Sequence, residues 1–81
     1  MDFSTFLQQF ANLFDETPME SLTPETEYKE LDEWDSMAAL MVISMISDEY
    51  DVPILGSDLR SAVTIKQLFD LVKAKIDSNP M

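Results

Sequence analysis

The sequence contains no cysteine and no histidine among its 81 residues. Without cysteine there is no disulfide bond and no thiolate nucleophile, and without histidine a Ser-His-Asp triad is excluded. The ligand sets typical of zinc sites are excluded for the same reason. The hydrophobic core alone must therefore stabilise the fold.

Long apolar runs are also missing. No segment approaches the roughly 20 consecutive apolar residues that span a bilayer. The first ten residues, MDFSTFLQQF, lack the basic and continuously apolar regions of a secretory signal. We therefore expect a soluble cytoplasmic protein that does not insert into membranes.

Basic residues are scarce. Five lysines and arginines face sixteen aspartates and glutamates, which gives a formal net charge of −11. This charge repels nucleic acid phosphates and anionic lipids, so we expect basic partners and no nucleic acid. Residues 1–35 carry −9 of the total, so the acidity is concentrated just before Ser36.

Apolar residues in the first part of the chain recur with helical periodicity. No segment of the sequence alternates between apolar and polar residues as a β-strand does. The spacing predicts a first helix over residues 3–15. Its apolar stripe comprises Phe3, Phe6, Leu7, Phe10 and Phe14. Residues 15–35 are rich in proline, serine, threonine and acids, which predicts a long loop. We expect Leu22, Tyr28 and Leu31 to attach this loop to the core.

The second part of the chain predicts further helices. One extends from Ser36 to Tyr50, with a core face of Leu40, Val42, Ile43, Ile46 and Tyr50. A short helix with a serine cap at Ser57 follows, and Thr64 caps a last helix that extends to Ile76. These elements predict an all-α fold over residues 1–81: a single-domain antiparallel bundle of three main helices and one short helix, with a long first loop.

Ser36 stands where the acidic loop meets the second helix. Either Asp35 or Ser36 can cap this helix, because both side chains accept hydrogen bonds from first-turn amides. Ala39 follows three residues later, so Ser36 lacks the acidic partner of a capping box. A hydroxyl at this position would also place an attached phosphate at the positive end of the helix. Both interpretations remain open on these residues.

Three segments carry a family resemblance: WDSM at residues 34–37, DEYDVPI at residues 48–54 and TIKQLFDLV at residues 64–72. Together they resemble acyl and peptidyl carrier proteins, over nearly the whole chain. The resemblance implies that Ser36 carries 4′-phosphopantetheine, installed from coenzyme A by a phosphopantetheinyl transferase with help from Asp35. It further implies a non-catalytic monomer that holds cargo as a thioester for acyl-loading and acyl-transfer enzymes.

The start of the second helix departs from this family. Ala38 and Met41 stand where fatty-acid carriers typically have acids, which favours a specialised pathway. Met37, Met41 and Met45 recur at helical spacing, and we expect at least Met37 and Met41 to be exposed. We expect partner enzymes to bind Met37, Met41, Asp48 and Glu49. Trp34 either covers the end of the bundle or belongs to the same patch.

Two other functions compete with a carrier. A carboxylate enzyme would need Asp32, Glu33 and Asp35 in a cleft, whereas the sequence predicts a solvated loop there. The acidic loop also lacks the spacing of an EF-hand. The stronger alternative is an unmodified acidic helical adaptor that binds a basic amphipathic partner.

Overall fold

Four α-helices form the fold in a computed structural model that describes residues 2–78. They are α1 (Phe3–Ala11), α2 (Ser36–Tyr50), α3 (Gly56–Ser61) and α4 (Ile65–Ser78). Two short 3₁₀ turns, Met19–Ser21 and Tyr28–Glu30, interrupt the long first loop. Within this range no β-strand forms, and Glu27 and Thr64 make only an isolated antiparallel bridge. The predicted small all-α fold is confirmed.

Helix α1 is shorter than its apolar stripe predicts. Asp2 caps its start by accepting a hydrogen bond from the amide of Thr5 at 3.0 Å. The helix ends at Ala11 rather than residue 15, because the amides of Leu13 and Phe14 bond to carbonyls three residues back. This tighter winding still leaves Phe14 buried. The predicted burial is confirmed, and the predicted last turn of α-helix is wrong.

The long loop is attached to the core by apolar anchors, as predicted. Leu22 and Tyr28 are buried, and Leu31 packs against the core. The Tyr28 hydroxyl donates to the carbonyl of Leu59 at 2.6 Å and also lies 3.1 Å from the carbonyl of Ala62. Burial raises the pKa of Tyr28 to about 12. A buried hydroxyl thus joins the loop to the segment around α3.

The same loop also covers the start of α4. The amides of Ile65 and Lys66 donate to the carbonyls of Thr26 and Pro24, each at 3.0 Å. Thr64 caps α4 as predicted, because its hydroxyl accepts from the amide of Gln67 at 3.1 Å. The first-turn amides of α4, which a helix leaves unpaired, therefore find partners in a distant segment.

Helix α3 begins differently from the prediction. Leu55 occupies its N-cap position, and the Asp58 side chain accepts a hydrogen bond from the Leu55 amide at 2.9 Å. The predicted serine cap at Ser57 is wrong, because Ser57 already lies inside the helix. An acid in the first turn replaces the cap and also suits the positive end of the helix.

Helix α2 has the predicted bounds, and its core face matches the prediction except at Leu40. Ala38, Val42 and Ile46 are its buried residues, whereas Leu40 is 59% exposed. Two helical positions separate Ala38 from Leu40, which is roughly 200° around the helix axis, so both cannot face the core. The prediction that Leu40 belongs to the core is wrong. The helix stops at Asp51, whose φ of 56° lies in the left-handed region.

Candidate functional site

Asp35 is the residue that caps α2. Its backbone is extended, and its Oδ1 accepts a hydrogen bond from the amide of Ala38 at 2.8 Å. Its carbonyl accepts from the amide of Ala39 at 3.0 Å. Of the two caps that the sequence left open, the structure therefore selects Asp35, and Ser36 becomes the first residue of the helix.

Ser36 is exposed at the positive end of this 15-residue helix. Because Asp35 supplies the cap, the Ser36 hydroxyl has no hydrogen-bond partner among residues 2–78. No general base of the described chain touches this hydroxyl, so it is not activated as a nucleophile from within. It can still accept a group from a separate enzyme that brings its own base.

The segment before Ser36 is held in place from two sides. The Trp34 ring packs at 5.1 Å from the Tyr28 ring and at 6.4 Å from the Phe14 ring, measured between centroids. The Glu33 carboxylate accepts hydrogen bonds from the amide of Glu16 at 3.2 Å and from the hydroxyl of Thr17. Trp34 therefore covers an end of the aromatic core, which was one of its two predicted roles.

A shallow surface groove of about 430 Å³ runs along α2 from Met37 to Asp48. We call it the methionine groove; it is lined by Leu13, Met37, Leu40, Met41, Ser44, Met45 and Asp48. Met37 is 64% exposed and Leu40 is 59% exposed, which is unusual for side chains of this size on one short helix. The groove is thus an exposed apolar surface with two polar members.

The predicted partner-binding residues divide between this groove and another surface. Met37, Met41 and Asp48 lie together in the methionine groove. Glu49 instead faces α1, where its carboxylate accepts from Nε2 of Gln9 at 3.3 Å. Met41 was expected to be exposed and is only half-exposed, because it also packs against the core.

Glu49 belongs to a small polar contact between α1 and α2. The Tyr50 hydroxyl donates to Oε1 of Gln9, whose amide nitrogen contacts Glu49. Burial raises the pKa of Tyr50, and the negative charges of Glu49 and Asp2 raise it further. This contact joins α1 to the C-terminal end of α2, whereas Ser36 lies at the N-terminal end of α2.

Sequence reasoning missed Leu40 as a surface residue, together with Leu13 and Ser44 as parts of the groove. A signal for Leu40 was present: Ser36, Leu40 and Ser44 are spaced by four residues and share one side of the helix. Serines on both sides of a leucine at this spacing indicate a solvent-facing stripe. No comparable signal exists for Leu13, because only the fold brings it against α2.

Other kinds of site find little basis in the described part of the chain. Over residues 2–78, no three acidic side chains are grouped so that they could hold a metal ion. No helix in the same range has both the length and the apolar character required to cross a bilayer. Asp32, Glu33 and Asp35 therefore do not form a metal-binding cluster.

Comparisons with protein-family models, with curated proteins and with solved structures find no match to this chain.

Proposed function

We propose that the chain is a stand-alone carrier protein that bears 4′-phosphopantetheine on Ser36 and delivers thioester-linked cargo to partner enzymes. The observation that carries this proposal is that Asp35, rather than Ser36, caps α2. Asp35 satisfies the first-turn amide of α2, so the Ser36 hydroxyl remains exposed and unpaired. A serine that merely capped the helix would be occupied.

The residues around Ser36 fit such an arm. An attached phosphodiester would lie at the positive end of α2, where a helix stabilises negative charge. When bound, the arm supplies the thiol that this chain lacks, since the sequence has no cysteine. The protein itself needs only to present Ser36, which the packing of Trp34 and the contacts of Glu33 accomplish by fixing the preceding segment.

Partner enzymes would dock beside the arm on the methionine groove. Met37 and Met41 provide adaptable apolar contact there, and Asp48 lies at the far end of the groove. No basic residue occurs on α2, so a basic partner surface meets no repulsion from this helix. Glu49 contributes to the field of the helix, although its side chain is turned toward Gln9.

The test is the intact mass of the protein after incubation with coenzyme A and a broad-specificity phosphopantetheinyl transferase. We expect one added phosphopantetheine group on the wild type and none on Ser36→Ala. Ser47→Ala is the matched control, because this serine is exposed on the same helix and lies outside the methionine groove. This variant should be modified normally, and circular dichroism should show that all variants remain helical.

Absence of any mass gain on folded wild-type protein would refute the carrier function. A gain that persists in Ser36→Ala would refute the assignment of the site.

A second candidate is an unmodified adaptor for a basic amphipathic helix. The methionine groove and the net charge of −11 favour this function independently of Ser36. Methionine-lined grooves accommodate such helices, and the charge would accelerate their encounter. An adaptor would bind its partner equally well as wild type and as Ser36→Ala, whereas a carrier would lose its function in that variant.

A further inference from the structure

We propose that the cargo is an apolar acyl chain and that it lies in the methionine groove on the outside of α2, rather than inside the helical core. This inference rests on the proposed carrier function. It names the substrate class that the sequence left open between fatty acyl, polyketide, aminoacyl and sugar-modifying acyl groups.

The lining of the groove begins at Met37, the residue after the attachment point. Ser36, Leu40 and Ser44 follow one another at intervals of four residues, so they share one side of α2, and the latter two line the groove. Helical side chains lean toward the N-terminus, which inclines Leu40 toward Ser36. The groove ends near Asp48, roughly 18 Å along the helix from Ser36. A flexible arm that bends back on itself near Ser36 can therefore bring its cargo over the groove.

The lining selects for apolar cargo. Five of its seven residues are leucine or methionine, and the flexible thioethers adapt to chains of different shape. Ser44 and Asp48 are the polar members. Asp48 would repel a cargo that ends in a carboxylate, and the five apolar side chains form no hydrogen bonds with the polar groups of an aminoacyl or sugar cargo. A saturated or weakly polar acyl chain is the best match.

The core side of α2 is closed to solvent. Ala38, Val42 and Ile46 are at most 1% exposed, and the aromatic rings of Phe6 and Phe10 are fully buried in the same cluster. A chain that entered here would have to displace close-packed side chains, whereas the exterior groove is already open.

Tethering makes a shallow groove sufficient. A chain attached at Ser36 is confined near the groove, so docking is intramolecular and requires only weak contact. Covering Met37 and Leu40 also removes from water the two most exposed apolar side chains of α2.

The test uses the absence of cysteine from the chain. Ser36→Cys introduces one thiol, which is labelled with alkyl methanethiosulfonates whose chains range from ethyl to octyl. The thiolate attacks the reagent's alkyl-bearing sulfur, a disulfide bond forms, the bond to the sulfonyl sulfur breaks, and methanesulfinate leaves with the electron pair. Labelling the methyl groups of methionine, valine and isoleucine with ¹³C then lets NMR report where each chain lies.

The methyl signals of Met37, Met41 and Met45 should shift progressively as the alkyl chain lengthens. The ratio of docked to free chain should rise by up to about fourfold for each methylene that is buried. Met19 is an internal control, because it is 40% exposed but does not line the groove. A chain of the same length that ends in a carboxylate should shift the three groove signals much less.

Leu40→Gln should reduce the shifts in the Ser36→Cys background, and Leu55→Gln is its matched control. Leu55 is 63% exposed, close to the value for Leu40, and it lies outside the groove. Groove signals that do not respond to octyl, or core signals from Val42 and Ile46 that respond instead, would overturn the inference.

This outcome is separable from that of the carrier function, since the disulfide arm needs no transferase. A protein that accepts phosphopantetheine but leaves the groove empty remains a carrier and loses only the inferred cargo site. Conversely, a groove that binds the octyl chain in a protein that accepts no phosphopantetheine would contradict the carrier function and, with it, the assignment of an acyl cargo.

Discussion

Helices α2 and α4 have similar lengths and pack against the same core, but their outer faces differ. The outer face of α4 carries charged pairs, such as Lys66 and Asp70, whose charged atoms lie 2.6 Å apart. The outer face of α2 carries serines, Met37 and Leu40 and has no basic residue. Both helices bury an apolar stripe, so folding alone does not account for the difference.

Helices α4 and α2 differ in where their apolar residues lie. In α4 they are confined to the buried side, which is the pattern of a helix selected for stability and solubility. In α2 they continue around to the solvent side and line the methionine groove. Large exposed apolar side chains grouped on one surface usually mark a binding site. This difference supports the proposed docking role of the outer face of α2.

The largest effect should come from replacing leucine with alanine on the buried face of α4, compared with the same replacement on the outer face of α2. Leu68→Ala removes a fully buried side chain of α4 and should lower the free energy of unfolding by about 2 to 5 kcal/mol. Leu40→Ala removes a side chain that is 59% exposed and should change it by less than about 0.5 kcal/mol. Urea denaturation measures both, and equal costs would place Leu40 in the core.

A smaller effect should follow from detaching the long first loop from the segment around α3. Tyr28→Phe removes the buried hydroxyl that bonds to the carbonyl of Leu59, and it should cost about 1 to 3 kcal/mol. The pKa of Tyr28 rises from 10.0 to about 12 on folding, so the folded state holds this proton more tightly. The contribution of the protonated Tyr28 hydroxyl to the free energy of unfolding is fully present below pH 10 and is lost as pH rises toward 12.

Denaturation at a series of pH values measures this contribution. Wild-type stability should fall more steeply than that of Tyr28→Phe between pH 10 and 12. Parallel curves for the two proteins would show that the Tyr28 hydroxyl does not titrate with folding.

The groove should respond to charge where α4 would not. Met41→Glu introduces a carboxylate into the groove and should weaken transferase recognition by about 1 to 3 kcal/mol in kcat/KM if Met41 is a buried anchor of the complex. Because Met41 is half-buried, we also expect a stability loss of about 1 kcal/mol. Met19→Glu, outside the groove, is the control and should leave kcat/KM unchanged.

The smallest effect concerns the cap of α2. Asp35→Ala should lower the free energy of unfolding by about 1 kcal/mol, because it removes the acceptor of the Ala38 amide. Ser36→Ala should change it by less than about 0.5 kcal/mol, since the hydroxyl makes no such bond. Thermal denaturation distinguishes them, and a larger loss for Ser36→Ala would assign the cap to the serine.

Much of this fold could be predicted from local signals. The bounds of α2 and the cap at Thr64 follow from periodicity and from residues that bond to nearby amides. The end of α1 could not be predicted, because Phe14 is buried equally well by a tighter turn. The position of Ser57 inside α3 was missed because Asp58 replaces a serine cap.

The site was predictable to a lesser extent. Ser36 and Asp35 are identified by sequence, but which of them caps α2 depends on atomic geometry. The outward orientation of Leu40 depends on how the whole helix rotates against the core, since α2 is apolar on several sides. The contribution of Leu13 to the groove depends on tertiary structure, because no local sequence pattern around Leu13 indicates a contact with α2.

The two bonds from the loop carbonyls of Pro24 and Thr26 to the start of α4 also bear on how the chain folds. They join residues about forty positions apart, so the first turn of α4 cannot be completed until a long stretch of chain has closed. The amides of Ile65 and Lys66 would otherwise exchange freely with solvent deuterium, as the first amides of a helix do. Their exchange rates should instead follow the opening of the acidic loop, which makes them local sensors of the segment that leads to Ser36.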